Sequence, residues 1–228
     1  VCLLWLGLLL GFMPKSGAAQ TTRQINVPSD VLGQLADSLA IAQAGSVLNL
    51  IDAGPYEIDT TLVNTVPVTI QADPGLSAKP RILMRITGAS MFAPRADLTI
   101  KGLDLAGINE ATHDTTRRFV RIGAPVTLQT DLDVIVRDCE LHHTTGDMIR
   151  TEVEFGSIIL DGVFAYDIGD RTMDMRAGTA DTLLVTKSTF YRMHDKFRIN
   201  GTITSMIFDA VTIANTQEGS GIELRTRA

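Results

Sequence analysis

The chain has 228 residues and a mass of 24.7 kDa, which fits one domain or one elongated repeat array. Hydrophobic residues make up 45% and charged residues 20%, which excludes a disordered or fibrous chain. The formal net charge of −6 lacks the basic footprint that nucleic-acid binding needs, so nucleic acid is excluded as a partner.

Residues 1–19, within "VCLLWLGLLLGFMPKSGAAQ", join an apolar run to a breaker and the small residues Gly17, Ala18 and Ala19. This reads as a secretory signal peptide; the apolar stretch is too short to span a bilayer. The expectation is a secreted, periplasmic or cell-surface protein with no membrane segment after cleavage. Removal of the leader takes Cys2 and Trp5 with it and leaves Cys139 as the one cysteine. An intrachain disulfide, a multi-cysteine zinc site and a tryptophan platform for sugars are then all excluded.

Residues 20–45 read as a lead followed by a capping helix. In "PSDVLGQLADSLAIAQAG", Ser29 is placed as N-cap and Val31, Leu32, Leu35 and Leu39 share one face. Residues 46–228 then repeat. "LTIKGLDLAG" from Leu98, "VIVRDCELHH" from Val134, "IILDGVFAYD" from Ile158, "LLVTKSTFYR" from Leu183 and "MIFDAVTIAN" from Met206 align, with starts 36, 24, 25 and 23 residues apart. Apolar residues alternate at positions one and three, the pattern breaks at position five, and alternation resumes at six and eight. Cys139 falls in an inward column as a small core residue.

A shorter strand follows each of these: "RFVRIG", "DMIRTE", "RTMDMRAG", "KFRING" and "GIELRT". A period of about two dozen residues without helical patterning means a solenoid. The expected fold is all-β: a single-stranded right-handed parallel β-helix with an N-terminal capping helix. The chain stops in mid-strand at "GIELRTRA", so the array is expected to be truncated at its C-terminus.

The lid helix, "QAGSVLNLIDAGPYEI" and "VTIQAD" together resemble the N-terminal pattern of secreted pectate-lyase-like β-helix proteins, whose nearest enzymatic branch is that of chondroitinase B and alginate lyase. The resemblance covers most of residues 29 to 228. It implies β-elimination on a uronic-acid polysaccharide. That chemistry needs neutralisation of the uronate carboxylate by Ca²⁺ or arginine, a base for the adjacent C–H, and an acid for the leaving oxygen. No stretch matches the lyases' Asn-rich and Arg-His-Gly motifs, so no catalytic residue is carried over from them.

Candidate site residues come from the outward columns that stacked strands create. One column is Arg121, Arg150, Asp174, Arg198 and Glu223; its neighbour is Glu152, Arg176, Asn200 and Arg225. Arginine grips carboxylates bidentately, so Arg121, Arg150, Arg176, Asn200 and Arg225 are candidates for binding an anionic polysaccharide. Lys196 is the candidate base, with a pKa lowered by Arg198 and Arg176, and Arg198 the candidate acid or carboxylate-orienting group. Glu152, Asp174 and Glu223 are the local candidates for Ca²⁺.

A third column, His142, Tyr166 and Tyr191, offers rings for stacking on sugars. His142 and His143, as adjacent strand residues, are expected on opposite faces and unable to share an ion. The insertions at 108–118 and 123–133 are candidate groove walls, through Asp114, Arg117 and Arg118. Each column has a structural alternative: opposite charges on neighbouring strands pair, and like rings stack. A non-catalytic carbohydrate-binding or surface-adhesion module is therefore the alternative to a lyase, and under either reading the protein is expected to be a monomer.

Overall fold

The computed structural model describes residues 22–123, 131–217 and 222–224, with positions 196, 223 and 224 as backbone alone. The leader, Arg225 and most of the 123–133 insertion lie outside the described residues.

The chain winds into an all-β parallel solenoid of about eight turns. One sheet takes one strand from each turn: Gln24–Val27, Ser46–Leu50, Val68–Ala72, Leu98–Lys101, Val134–Arg137, Phe155–Asp161, Thr179–Thr186 and Thr202–Asp209. All adjacent pairs are parallel. Leu98, Val134, Ile158, Leu183 and Met206 stand opposite one another in that order, as the alignment requires. Ile100, Val136, Leu160 and Val185 are fully buried, and Phe208 packs partly buried at the end of their column. Each such aliphatic side chain contributes about 1.5–3 kcal/mol by leaving water.

The second sheet consists of two ladders that merge. Tyr56–Ile58, Arg81–Met84, Asp104–Ala106 and Glu140–Thr144 form one; Ser90–Phe92, Arg118–Ile122 and Ile149–Thr151 form the other. The long strand Phe164–Met175 pairs with both, and Thr189–Ile199 pairs with that strand along its length. Thr212–Ala214 and Ile222–Leu224 continue the two ladders.

The break at position five of the repeat is a corner. Gly102, Asp138, Gly162, Lys187 and Ala210 occupy it, and every one has a positive φ. A second left-handed corner follows at position ten, in His143, Asp167, Arg192 and Asn215. Only glycine adopts this region freely, and asparagine or aspartate adopts it more readily than other residues. Between the corners, Leu103, Cys139, Val163 and Ser188, then Leu105, Leu141, Ala165 and Phe190, fill the core. Burial pushes the Cys139 thiol up to about 11.

Two N-terminal details differ from the sequence reading. The helix is the short segment Gln34–Ala40, entered through Gly33 at φ 79 rather than through Ser29. Leu35 and Leu39 are buried as expected, but Val31 and Leu32 precede the helix and are exposed, because the left-handed Gly33 redirects the chain. The Ser29 N–H instead donates to Asp52 Oδ2 at 3.0 Å. The ladder also starts one strand earlier than position 46, with Gln24–Val27 paired to Ser46–Leu50.

Candidate functional site

The predicted charged column assembles in register. Arg121 stands opposite Arg150, Arg150 opposite Asp174, Asp174 opposite Arg198, and Arg198 opposite position 223. Its exposure differs from expectation. Arg121 is part-exposed, whereas Arg150 is buried and the Asp174 carboxylate is fully covered. Long charged neighbours fold over the column and turn a flat face into a half-buried ion-pair layer.

Asp174 is the centre of that layer. Its Oδ1 accepts from Arg198 Nε at 2.7 Å and lies 2.6 Å from Arg198 Nη2; its Oδ2 accepts from Arg176 Nε at 2.7 Å. Burial alone would raise this carboxyl, but the hydrogen bonds from Arg176 and Arg198 outweigh it and hold the group below the usual carboxylate range. Glu152 behaves similarly: burial opposes ionisation, and a 2.8 Å hydrogen bond from Arg121 prevails. Arg150 Nε lies 2.8 Å from Glu152 Oε1 as an ion pair. Asn200 sits beside these groups, half-buried, with its Oδ1 lacking a hydrogen bond.

These contacts bear on calcium. The oxygens of Glu152 and Asp174 face guanidinium groups, and among the described residues no group of three or more His, Cys, Asp or Glu is arranged to hold a metal ion. A divalent cation at Glu152 or Asp174 would have to displace the arginines that hold those oxygens.

A second carboxylate, which the sequence did not single out, lies in the same layer. Asp147 is buried between Arg118, Arg150 and Arg171 at 3.5, 3.6 and 3.7 Å, and its Oδ1 makes no hydrogen bond. Burial, with Asp170 and Asp174 nearby, raises its carboxyl above the ordinary range. Arg171 spans from Asp170 at 2.9 Å to Asp195 at 3.2 Å. Beside this layer lies a groove of about 290 Å³, lined by Thr61, Ser90, Arg117, Arg118 and Arg121 among others. Arg117 is exposed there, while burial, with Arg150 and Arg117 repelling it, lowers the Arg118 pKa. The insertion thus supplies Arg117 and Arg118 to a groove wall, and Asp114 is held elsewhere by Thr112 at 2.7 Å and Thr87 at 3.0 Å.

The ring column also assembles. His142, Tyr166 and Tyr191 face one another in register. The His142 and Tyr166 rings stack with centroids 4.9 Å apart and planes 9° from parallel. The Tyr166 hydroxyl donates to Glu140 Oε1 at 2.9 Å; burial and Glu140 push the phenol up to about 12. His143 departs from the expected geometry. Its φ of 62 breaks the strand alternation, so its ring lies on the same side as His142, with the two Nδ1 atoms 2.6 Å apart.

His142 Nε2 lies 2.8 Å from Asp104 Oδ1, whose other oxygen is 2.6 Å from Arg81 Nε. Burial opposes ionisation of Asp104, but His142 and Arg81 hold its pKa below the usual range, so the carboxylate is the acceptor and His142 Nε2 carries the proton. The Nδ1–Nδ1 bond then places a proton on His143 Nδ1 when both rings are neutral. Arg81, Asp104 and Glu140 are themselves a column in register. This arginine and the two carboxylates that follow it, two residues before the ring column, were a signal available in the sequence.

Fold and site together define a parallel β-solenoid with an arginine–carboxylate layer on one outer face and a stacked-ring pocket on the next. No family model matches the chain, and no curated protein does. Among solved structures, the chain is similar to the PL6 family alginate lyase AlyGC, with a TM-score of 0.58 and 15% identity over 86% of this chain. The match covers 30% of the lyase chain, and at this identity the likeness establishes the fold.

Proposed function

We propose that this chain is part of a secreted protein of the polysaccharide-lyase type that engages a uronic-acid polymer along the groove of Arg117, Arg118 and Arg121. The right-handed winding and a capping role for the helix Gln34–Ala40 belong to the same reading. The observation that carries it is the surplus of positive charge at this groove. Arg117 is exposed, and Arg118 is buried beside Arg117 and Arg150; its ion-pair partner at 3.5 Å, Asp147, is a carboxyl whose pKa burial raises, while Arg121 is paired with Glu152 at 2.8 Å. A polymer carboxylate entering there meets guanidinium groups whose charge is incompletely matched, the condition under which arginine forks are strong.

For elimination, arginine rather than calcium neutralises the uronate. Lys196 takes the proton adjacent to the carboxylate, the carbon–oxygen bond to the neighbouring sugar breaks, and the leaving oxygen takes a proton in turn. Arg198 serves as an orienting group rather than a free acid, because two of its nitrogens are committed to Asp174. That commitment favours a second reading, a module that binds the polymer without cleaving it.

The test incubates the protein with alginate, chondroitin sulfate and pectate, with and without chelator, and follows ultraviolet absorbance of the unsaturated product. Chelator-resistant absorbance that Lys196→Ala abolishes supports elimination. Salt-sensitive retention on immobilised alginate, lost in Arg117→Ala and without cleavage, supports the binding module. Neither cleavage nor retention refutes the groove as a polymer site.

A further inference from the structure

The ring ladder stops abruptly, and a pocket lies where it stops. Its register position is held by Tyr191, Tyr166 and His142 on three successive turns, and then by Ala106, Leu83 and Glu57 on the turns before. Stacked rings thus give way to a methyl group and an aliphatic side chain. Strands in a sheet are about 4.8 Å apart, and the two innermost rings stack at 4.9 Å, so the position over Ala106 has the spacing of one further ring. A pocket of about 420 Å³ opens there, bounded by Leu83, Ala106 and His142 and walled by the insertion at Ile108, Asn109 and Ala111.

The insertion is held in place to form that wall. Asn109 is buried, its N–H and that of His113 take part in backbone bonds within the loop, and its side-chain nitrogen donates to Glu57 Oε1 at 3.3 Å. Glu57 Oε2 receives Arg85 at a similarly long 3.3 Å, so both oxygens retain capacity to accept from a ligand. Arg81 lies on the rim with half its side chain exposed, and its Nε is committed to Asp104. The cations at the pocket are therefore matched, while Glu57 and Glu110 present carboxylates. A uronate or sulfate is disfavoured here. A ring with an apolar face and hydroxyl edges is favoured, because the face continues the stack and the hydroxyls donate to Glu57.

We propose that this pocket binds a neutral pyranose unit, one without carboxylate or sulfate, stacked on His142 above Ala106 and hydrogen-bonded by Glu57 and Asn109. The site is distinct from the arginine groove and does not depend on it. The protein therefore holds a neutral sugar on one face and polymer carboxylates on another, which suits a heteropolysaccharide of mixed neutral and uronic units.

The test titrates isotopically labelled protein with methyl glucoside, methyl galactoside and methyl mannoside, with glucuronate as the charged comparator, and follows the Ala106 methyl and His142 ring signals. At least one neutral glycoside is expected to produce saturable shifts at both residues, with a dissociation constant of about 1 mM, the scale of one small ring. Ala106→Phe, which fills the stacking position, and His142→Gln, which keeps a donor toward Asp104 but removes the ring, are each expected to weaken binding at least tenfold. Arg117→Ala is expected to leave it unchanged. The absence of saturable shifts with all three glycosides, tighter binding of glucuronate, or shifts confined to the arginine groove would each overturn the proposal. The signals at Ala106 and His142 report this pocket whether or not the arginine groove binds or cleaves a polymer.

Discussion

Removing the Asp174 carboxylate tests whether the arginine column is a structural network or a loose surface array. Asp174 is fully covered, Arg198 is mostly covered, and Arg176 is about half exposed. A hydrogen bond between charged groups contributes about 1.5–3 kcal/mol when buried, so the double contact from Arg198 carries most of the interaction. The more exposed Arg176 adds at most about 1 kcal/mol after solvent screening. Asp174→Ala removes both and leaves Arg198 and Arg171 without the carboxylate they surround, so the expected cost is about 3–5 kcal/mol. Asp174→Asn keeps one acceptor oxygen and should cost less, about 2–3 kcal/mol.

Urea unfolding followed by circular dichroism reads this directly. With a slope of about 2 kcal/mol/M, Asp174→Ala should lower the midpoint by about 1.5–2.5 M. The pH dependence gives a second check. The folded-state pKa is below the unfolded one, so the stabilisation is fully present above the unfolded carboxylate value and disappears as pH falls through the folded value. The gap between wild type and Asp174→Asn should therefore be widest at neutral pH and close in strong acid. A cost of Asp174→Ala below about 1 kcal/mol, or a gap that does not narrow in acid, would refute the view that this column is a buried ionic layer.

Asp147 should behave in the opposite sense. Its folded pKa is raised, so the native state holds a proton that the unfolded chain releases, and its contribution weakens as pH rises through that window. Asp147→Asn should become progressively less destabilising relative to wild type as pH rises above the ordinary carboxylate range, as read by the same urea titration. Cys139, fully buried with its thiol pushed up to about 11, should resist alkylation at pH 8 in the native protein and react on denaturation, as peptide mapping by mass spectrometry would show. Leu160→Ala, in the fully buried column, should cost about 2–5 kcal/mol in urea unfolding. Lys187→Gly, at a left-handed corner, should stabilise by up to about 1 kcal/mol, because the relief of side-chain strain exceeds the entropy glycine adds to the unfolded chain.

The columns were legible in the sequence because two independent signals agree on the register. Alternation on either side of position five fixes which side chains face inward, and the corner between them recurs at a constant offset. Gly102 and Gly162 mark that corner openly. Asp138 is compatible with it, while Lys187 and Ala210 are read as corners only through their alignment with the others. The second corner carries no glycine on these turns and is less visible. His143 sits at the second corner with Asp167, Arg192 and Asn215, and the rule that adjacent strand residues point apart fails for a left-handed residue. Simple alternation therefore assigns the histidine pair to two faces, whereas both line one pocket.

The burial of the charged column was illegible for another reason. Register shows which side chains are neighbours along a column; it does not show which long side chains of an adjacent turn lie across them. Arg171 lies in the same long strand as Asp174 and Arg176 directly follows it, and both close over Asp174 where the two ladders merge into that strand. Asp147 enters the layer two residues before Ile149, level with Arg118 and Arg171 on the neighbouring turns, in a column that continues to Asp195. A solenoid sequence therefore encodes its scaffold in the periodic positions and its chemistry in the departures from them. The insertion that supplies Arg117 and Arg118, the corner that turns His143, and the alanine that ends the ring ladder are all interruptions of the repeat, and each stands at a candidate binding surface.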